Sequence, residues 1–248
     1  MTPEEMLAAL NEQGVLLADA ACSTALDVFV PSCPDWTVRD LVRHTGMVHR
    51  WAASVVEAAG PAVDDLGFEA TTVYPPDAEL ICWFRDGHLA LLTTLREAPA
   101  DVPCWAFMRG SGGPLQFWMR RQLHETAVHR MDAEHAAGRP LSAVRADLAA
   151  DGIDELLTSF VPRPSGRLRS DEPWTMAVVA TDTDKAWTVR VTEGPVVAVR
   201  GAQAADVSLS GGAGDLYAFL WNRTSVGVTV RGNAARAADW QSKVRIAW

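Results

Sequence analysis

A chain of 248 residues, 48% hydrophobic and 21% charged, can bury a sizeable core and reads as a soluble globular protein of one large domain or two modest ones. A net charge of -9, with Lys185 and Lys243 the only lysines and no basic block, excludes a general nucleic-acid binder, whose affinity rests on clustered Lys and Arg. No apolar run reaches the roughly 20 residues that span a membrane, and the acidic start MTPEEMLAAL lacks a signal-peptide pattern, so a cytoplasmic location is expected.

Thr2, Pro3 and Glu5 offer a cap, a proline at the first helical position and a capping-box acid, so a first helix is expected from there to about Val28. The PSCPDW segment that follows reads as a loop. Thr37, with Asp40 three residues later, predicts the start of a second helix running from Val38 to about Ala59. Residues 60 to 77 are rich in Gly, Pro and Asp and read as a connection. A third helix is expected from Ala78 to Ala98, on the spacing of Trp83, Leu91, Leu92 and Leu95, although Gly87 inside it costs about 1 kcal/mol. The turn-rich RGSGGP precedes a fourth helix from Leu115 to Ala137, stopped by Gly138 and Pro140. Four amphipathic helices in succession imply a bundle, and bundles build metal sites from inward side chains on facing helices.

The remainder has a different texture. LAADGIDELLTSF reads as a connecting helix and PRPSGRLRSDEP as a polar, proline-bearing linker. The runs WTMAVVA, AWTVRV, VVAVRG and DVSLS read as strands, followed by a helix over DLYAFLWN, a strand at GVTVRG and a helix over AARAADWQSKV. That order predicts an α+β domain, giving a bundle with its connecting helix over 1–164 and a second domain over 165–248. GGAG at 211–214 precedes a helix but lacks the Lys and Ser/Thr of a phosphate loop, so it reads as a turn and helix start. Cys22, Cys33, Cys82 and Cys104 form no C-x-x-C pair and read as buried or free thiols, with Cys33, between turn residues, the one candidate for exposure.

Within RRQLHETAVH, Glu125 and His129 stand four apart. At about 100° per residue they return to within about 40° of each other, one turn apart, and could share a metal ion or form an exposed i,i+4 contact. His124 and Glu125 suggest the H-E-x-x-H pattern of zinc proteases, but Val128 occupies the place of its second histidine. His124 and His129 diverge by about 140° and cannot chelate together. On the second helix, Leu41, His44, Val48, Trp51 and Val55 fall at spacings of three and four, placing His44 on the apolar stripe and His49 off it. A histidine so placed is either a hydrogen-bonded core residue or a third ligand.

The segments CPDWTVRDLVRHTGMVHRW, RRQLHETAVHRMDAEHAAG and LAADGIDELL, then FLWNR and VRGNAARAADW, resemble the mycothiol-dependent maleylpyruvate isomerase family over nearly the whole chain. The resemblance implies a DinB-like four-helix bundle followed by a sterol-carrier-like α+β domain. It also implies a divalent ion, zinc or another metal, held by His44, Glu125 and His129. Arg223, in the W-x-R segment, is implied as a catalytic residue, and Asn222 stands where glycine is common in the family. The implied cosubstrate is mycothiol, whose thiolate would add to the double bond of maleylpyruvate before rotation and elimination give fumarylpyruvate. The partners are then a small electrophile and a low-molecular-weight thiol, with no nucleic acid or membrane. Two other functions fit the same chain: a mycothiol S-transferase acting on another electrophile, and a noncatalytic binder of small apolar molecules.

Overall fold

The computed structural model describes residues 1–60, 71–108 and 112–244. Part of the connection expected after the second helix, and three residues of RGSGGP, lie outside that description. The described chain divides into two compact units, Met1–Ser142 and Ala143–Trp248.

The first unit is helical. Helix α1 (Pro3–Cys22) opens on the expected capping box, with Glu5 N donating to Thr2 Oγ1 over 3.2 Å and Thr2 N to Glu5 Oε2 over 2.7 Å. It stops at Cys22, six residues short of expectation, because the Ser23 hydroxyl and amide both bond Ala20 O and turn the chain. The expected loop is a short antiparallel hairpin, β1 (Phe29–Val30) with β2 (Cys33–Thr37), in which Val30 faces Cys33 and Phe29 faces Thr37. The hairpin runs directly into α2 (Val38–Ala58), capped reciprocally by Thr37 and Asp40 as predicted. Helices α3 (Leu80–Glu97) and α4 (Gly113–Ala136) complete the bundle. α1 packs against α4 and α3, and α2 against α3 and α4, so the helices follow the order α1, α3, α2, α4 around the core.

Gly87, costly by propensity, has a packing reason. A Cβ there would stand 2.0 Å from Arg50 Nη1, and the Arg50 guanidinium is held by the carbonyls of Gly46 and Trp83, 3.8 Å above the Trp83 ring. α4 differs from the other helices: from Phe117 to Glu134 all of its side chains except Arg120 are buried. Its polar residues therefore cannot face water and must be satisfied from within.

The second unit begins earlier than the linker predicted. Helix α5 (Ala146–Glu155), expected to close the bundle domain, is part of the C-terminal unit. Asp154 is the reason, since its carboxylate accepts from Trp187 Nε1 at 3.0 Å and from Arg200 Nε and Nη2 at 2.7 and 2.8 Å, tying α5 to the sheet. A π-helical turn (Leu156–Phe160) extends it. Strands β3 (Trp174–Ala180), β4 (Ala186–Val191), β5 (Val197–Arg200), β6 (Val207–Gly211) and β7 (Thr229–Gly232) form one sheet in the order β5-β4-β3-β6-β7. All pairs are antiparallel except β3 with β6. Trp187, Val189 and Val191 share one buried face of β4, while Arg190 on the other face is exposed. Helices α6 (Ala213–Leu220) and α7 (Ala234–Lys243) follow β6 and β7. The helical first unit and the α+β second unit agree with the expected fold class. No helix among the described residues is long and apolar enough to cross a membrane.

Candidate metal centre

His44 on α2 and Glu125 and His129 on α4 come together in the first unit. His44 Nε2 lies 3.2 Å and His129 Nε2 3.1 Å from the same oxygen, Glu125 Oε1. One ligand atom from each of the three lies within 4.8 Å of the others. Glu125 and His129 are buried, and the His44 side chain is 13% exposed, so the group is open on the His44 side. The rings of His44 and His129 meet edge to face at 5.1 Å, and Trp36, the last side chain before the α2 cap, lies 4.7 and 5.7 Å from them.

The donor set fits a divalent ion. Ligand atoms held about 2.0–2.1 Å from a tetrahedral zinc stand about 3.3 Å apart, close to the two separations observed here. Two imidazoles and a carboxylate leave coordination positions for an outside molecule, unlike the closed sets of structural zinc. Without an ion, burial alone would favour neutral side chains. For Glu125 it is outweighed by the His129 charge, the hydrogen bonds from His129 and His44, and Arg121, which hold the carboxyl well below its usual range. For His129, burial is outweighed by Glu125 and Asp132, which raise the imidazole to about 9. Carboxylate and imidazole thus favour each other's charged forms, and a cation bound by all three residues would take over that role toward Glu125.

Two supports were not recognised in the sequence. Arg121, 2% exposed, places Nη2 3.4 Å from Glu125 Oε2, the oxygen turned away from the histidines. Asp132, fully buried, places Oδ2 2.9 Å from His129 Nδ1. Arg121, Glu125, His129 and Asp132 lie at steps of four, four and three, one stripe of α4. That spacing in RRQLHETAVHRMD is the signal that could have found them.

The other histidines stand elsewhere. Neither His49 nor His124 belongs to the metal-competent group. His49 proves to be the core histidine of α2: it is fully buried, with Nε2 2.9 Å from Thr126 Oγ1 and its ring 5.1 Å from His88. The buried arc runs through Val38, Val42, Thr45, His49, Ala52 and Val56, because α2 packs on two helices at once, and His44 lies at its edge. Burial pushes His49 well below its ordinary range and His88 down to about 4.

Arg223 belongs to the second unit, half-buried, with Nη1 2.6 Å from Trp221 O. Its position is set by the end of α6. Asn222 N bonds Phe219 O at 2.9 Å and Arg223 N bonds Ala218 O at 2.8 Å, a Schellman turn with Asn222 in the left-handed region at φ 61°. Asparagine tolerates that conformation better than most non-glycine residues, which suits it to this position. The GGAG turn is closed to anions: Asp182 Oδ1 accepts from Ala213 N at 2.9 Å, placing a carboxylate at the helix start.

Comparison with known proteins identifies the family and the fold. The family model described as "Mycothiol maleylpyruvate isomerase N-terminal domain" matches residues 7–134, and "MDMPI C-terminal domain" matches residues 147–240. No curated protein matches the chain. Two crystal structures of mycothiol-dependent maleylpyruvate isomerase are similar in fold. A histidine-to-alanine mutant shares 15% identity at a TM-score of 0.63, and a second structure 14% at 0.62, each match covering 93% of both chains.

Proposed function

Because the chain belongs to the mycothiol-dependent maleylpyruvate isomerase family, we propose that it is a metal- and mycothiol-dependent enzyme whose His44, Glu125 and His129 hold one divalent ion, zinc in the first instance. The observation that carries this reading is the convergence of two imidazole nitrogens and a carboxylate oxygen within 4.8 Å of one another. Bound there, zinc would make an incoming thiol acidic enough for its thiolate to exist at neutral pH, so the protein need not supply a cysteine.

The chain's own residues then divide the work. Glu125 presents Oε1 to the two histidines while Arg121 engages Oε2. Trp36 covers the histidine rings. Arg223 is the proposed catalytic arginine, pairing with a substrate carboxylate or stabilising the enolate formed when the thiol adds to an activated double bond. In maleylpyruvate, addition leaves a single bond about which the chain rotates, and elimination of the thiol gives fumarylpyruvate with no net redox change. With another electrophile the same addition would stop at a stable thioether, which is S-transfer.

The test is to incubate zinc-loaded protein with maleylpyruvate, with and without mycothiol, and follow substrate and product. Conversion that requires mycothiol supports the isomerase. A persistent thioether with no isomer moves the reading to a transferase, and no reaction with any thiol and electrophile supports a noncatalytic binder.

A further inference from the structure

We propose that Asp132 is a positioning residue for this centre: its carboxylate sets which ring nitrogen of His129 is offered as ligand and ties the Trp36 hairpin to that ring. The inference rests on the metal-binding reading above and concerns a residue outside the ligand trio. An ionised carboxylate can only accept hydrogen bonds, so the 2.9 Å contact between Asp132 Oδ2 and His129 Nδ1 assigns the proton to Nδ1. His129 Nε2, 3.1 Å from Glu125 Oε1, is then the nitrogen turned to the centre.

Asp132 does more than hold one ring. Its other oxygen accepts from the hydroxyl of Ser32, and the Cys33 thiol donates to Oδ2 over 3.9 Å. Ser32 lies in the turn before β2 and Cys33 begins that strand, whose continuation carries Trp36 against both histidines. One fully buried carboxylate thus takes donors from α4 and from a hairpin about 100 residues away. A buried charge without such partners would be strongly unfavourable, and here the partners are a ligand histidine and the hairpin that carries Trp36. Outer carboxylates of this kind hold a histidine ligand in one tautomer and orientation, and losing them weakens metal binding about 10- to 100-fold.

The experiment measures zinc affinity by chelator competition in the wild type, Asp132→Ala, Asp132→Asn and Ser32→Ala. Alongside, the His129 Nδ1–H signal is followed by NMR in the zinc-loaded proteins. Asp132→Ala is expected to weaken zinc about 10- to 100-fold and to lose the slowly exchanging Nδ1–H. Asp132→Asn, whose amide oxygen can still accept from Nδ1, recovers part of both and carries the test if the alanine variant does not fold. Ser32→Ala, which removes the hairpin donor but leaves the His129 bond intact, is expected to weaken zinc less than Asp132→Ala and to keep the Nδ1–H signal. Tight wild-type binding left unchanged by Asp132→Ala, with the Nδ1–H signal intact, would overturn the positioning role alone. A wild type that takes up no zinc would overturn the metal reading as well.

Discussion

His88 makes the helical unit sensitive to acid, and the size of the effect follows from its burial. The ring is 3% exposed and sits against α1, where a Cβ added at Gly14 would stand 2.2 Å from His88 Nε2. Burial lowers its pKa to about 4, from an ordinary value of about 6.5. The unfolded chain therefore binds a proton below about pH 6.5 that the folded chain refuses until about pH 4. Stability is fully present above 6.5 and is lost as pH falls through that window. A difference of about 2.5 pKa units corresponds to about 3 kcal/mol at the acid end. His88→Met removes the titrating group and leaves a flexible apolar side chain in the slot, at a cost of less than about 1.5 kcal/mol at pH 7.5 if the volume is accommodated. Urea denaturation of chelator-treated wild type and variant at pH 7.5 and 4.5 checks this. The wild type should lose about 2–3 kcal/mol more than His88→Met over that interval, on top of the loss from His49 and from the carboxylates that both proteins share. Equal losses would refute the assignment of acid sensitivity to His88.

Three further outcomes follow from the packing and the proposed site. Gly14→Ala forces a methyl group into the His88 ring, and should destabilise by about 1–3 kcal/mol despite the higher helix propensity of alanine, measured as a shift in urea midpoint. Arg223→Ala should lower kcat by about 10²-fold or more while zinc content stays at the wild-type level, because its proposed partner is substrate charge. Replacing Cys22, Cys33 and Cys82 by serine and the buried Cys104 by alanine should leave mycothiol-dependent turnover in place wherever the fold survives. Loss of turnover in a folded quadruple variant would point to an internal nucleophile.

The helices that build the centre were legible because their signals are local. The Thr37–Asp40 capping box fixed the start of α2, and the four-residue step from Glu125 to His129 put both on one face of α4. What was not legible depends on contacts distant in sequence. His49 read as lying off the buried stripe although it is buried, since a single apolar stripe does not describe a helix packed against two neighbours. Pro31 and Pro34 made the β1–β2 hairpin look like a loop, which hid the route from Ser32 to Asp132. The Pro-rich stretch after Phe160 drew the expected boundary to residue 165, whereas the Asp154 contacts with Trp187 and Arg200 put α5 with the sheet. The left-handed backbone at Asn222, which closes α6, is likewise set by hydrogen bonds from Asn222 and Arg223 back into the helix.

The central claim is that His44, Glu125 and His129 hold a metal ion open to an external thiol. Cobalt substitution followed by mycothiol titration tests it most directly, because thiolate ligation adds a charge-transfer band in the near ultraviolet. The account predicts one cobalt per chain, a new band that saturates with mycothiol, and loss of both in His129→Ala and Glu125→Gln. A wild-type protein that takes up no cobalt, or a cobalt spectrum that mycothiol leaves unchanged, would contradict it.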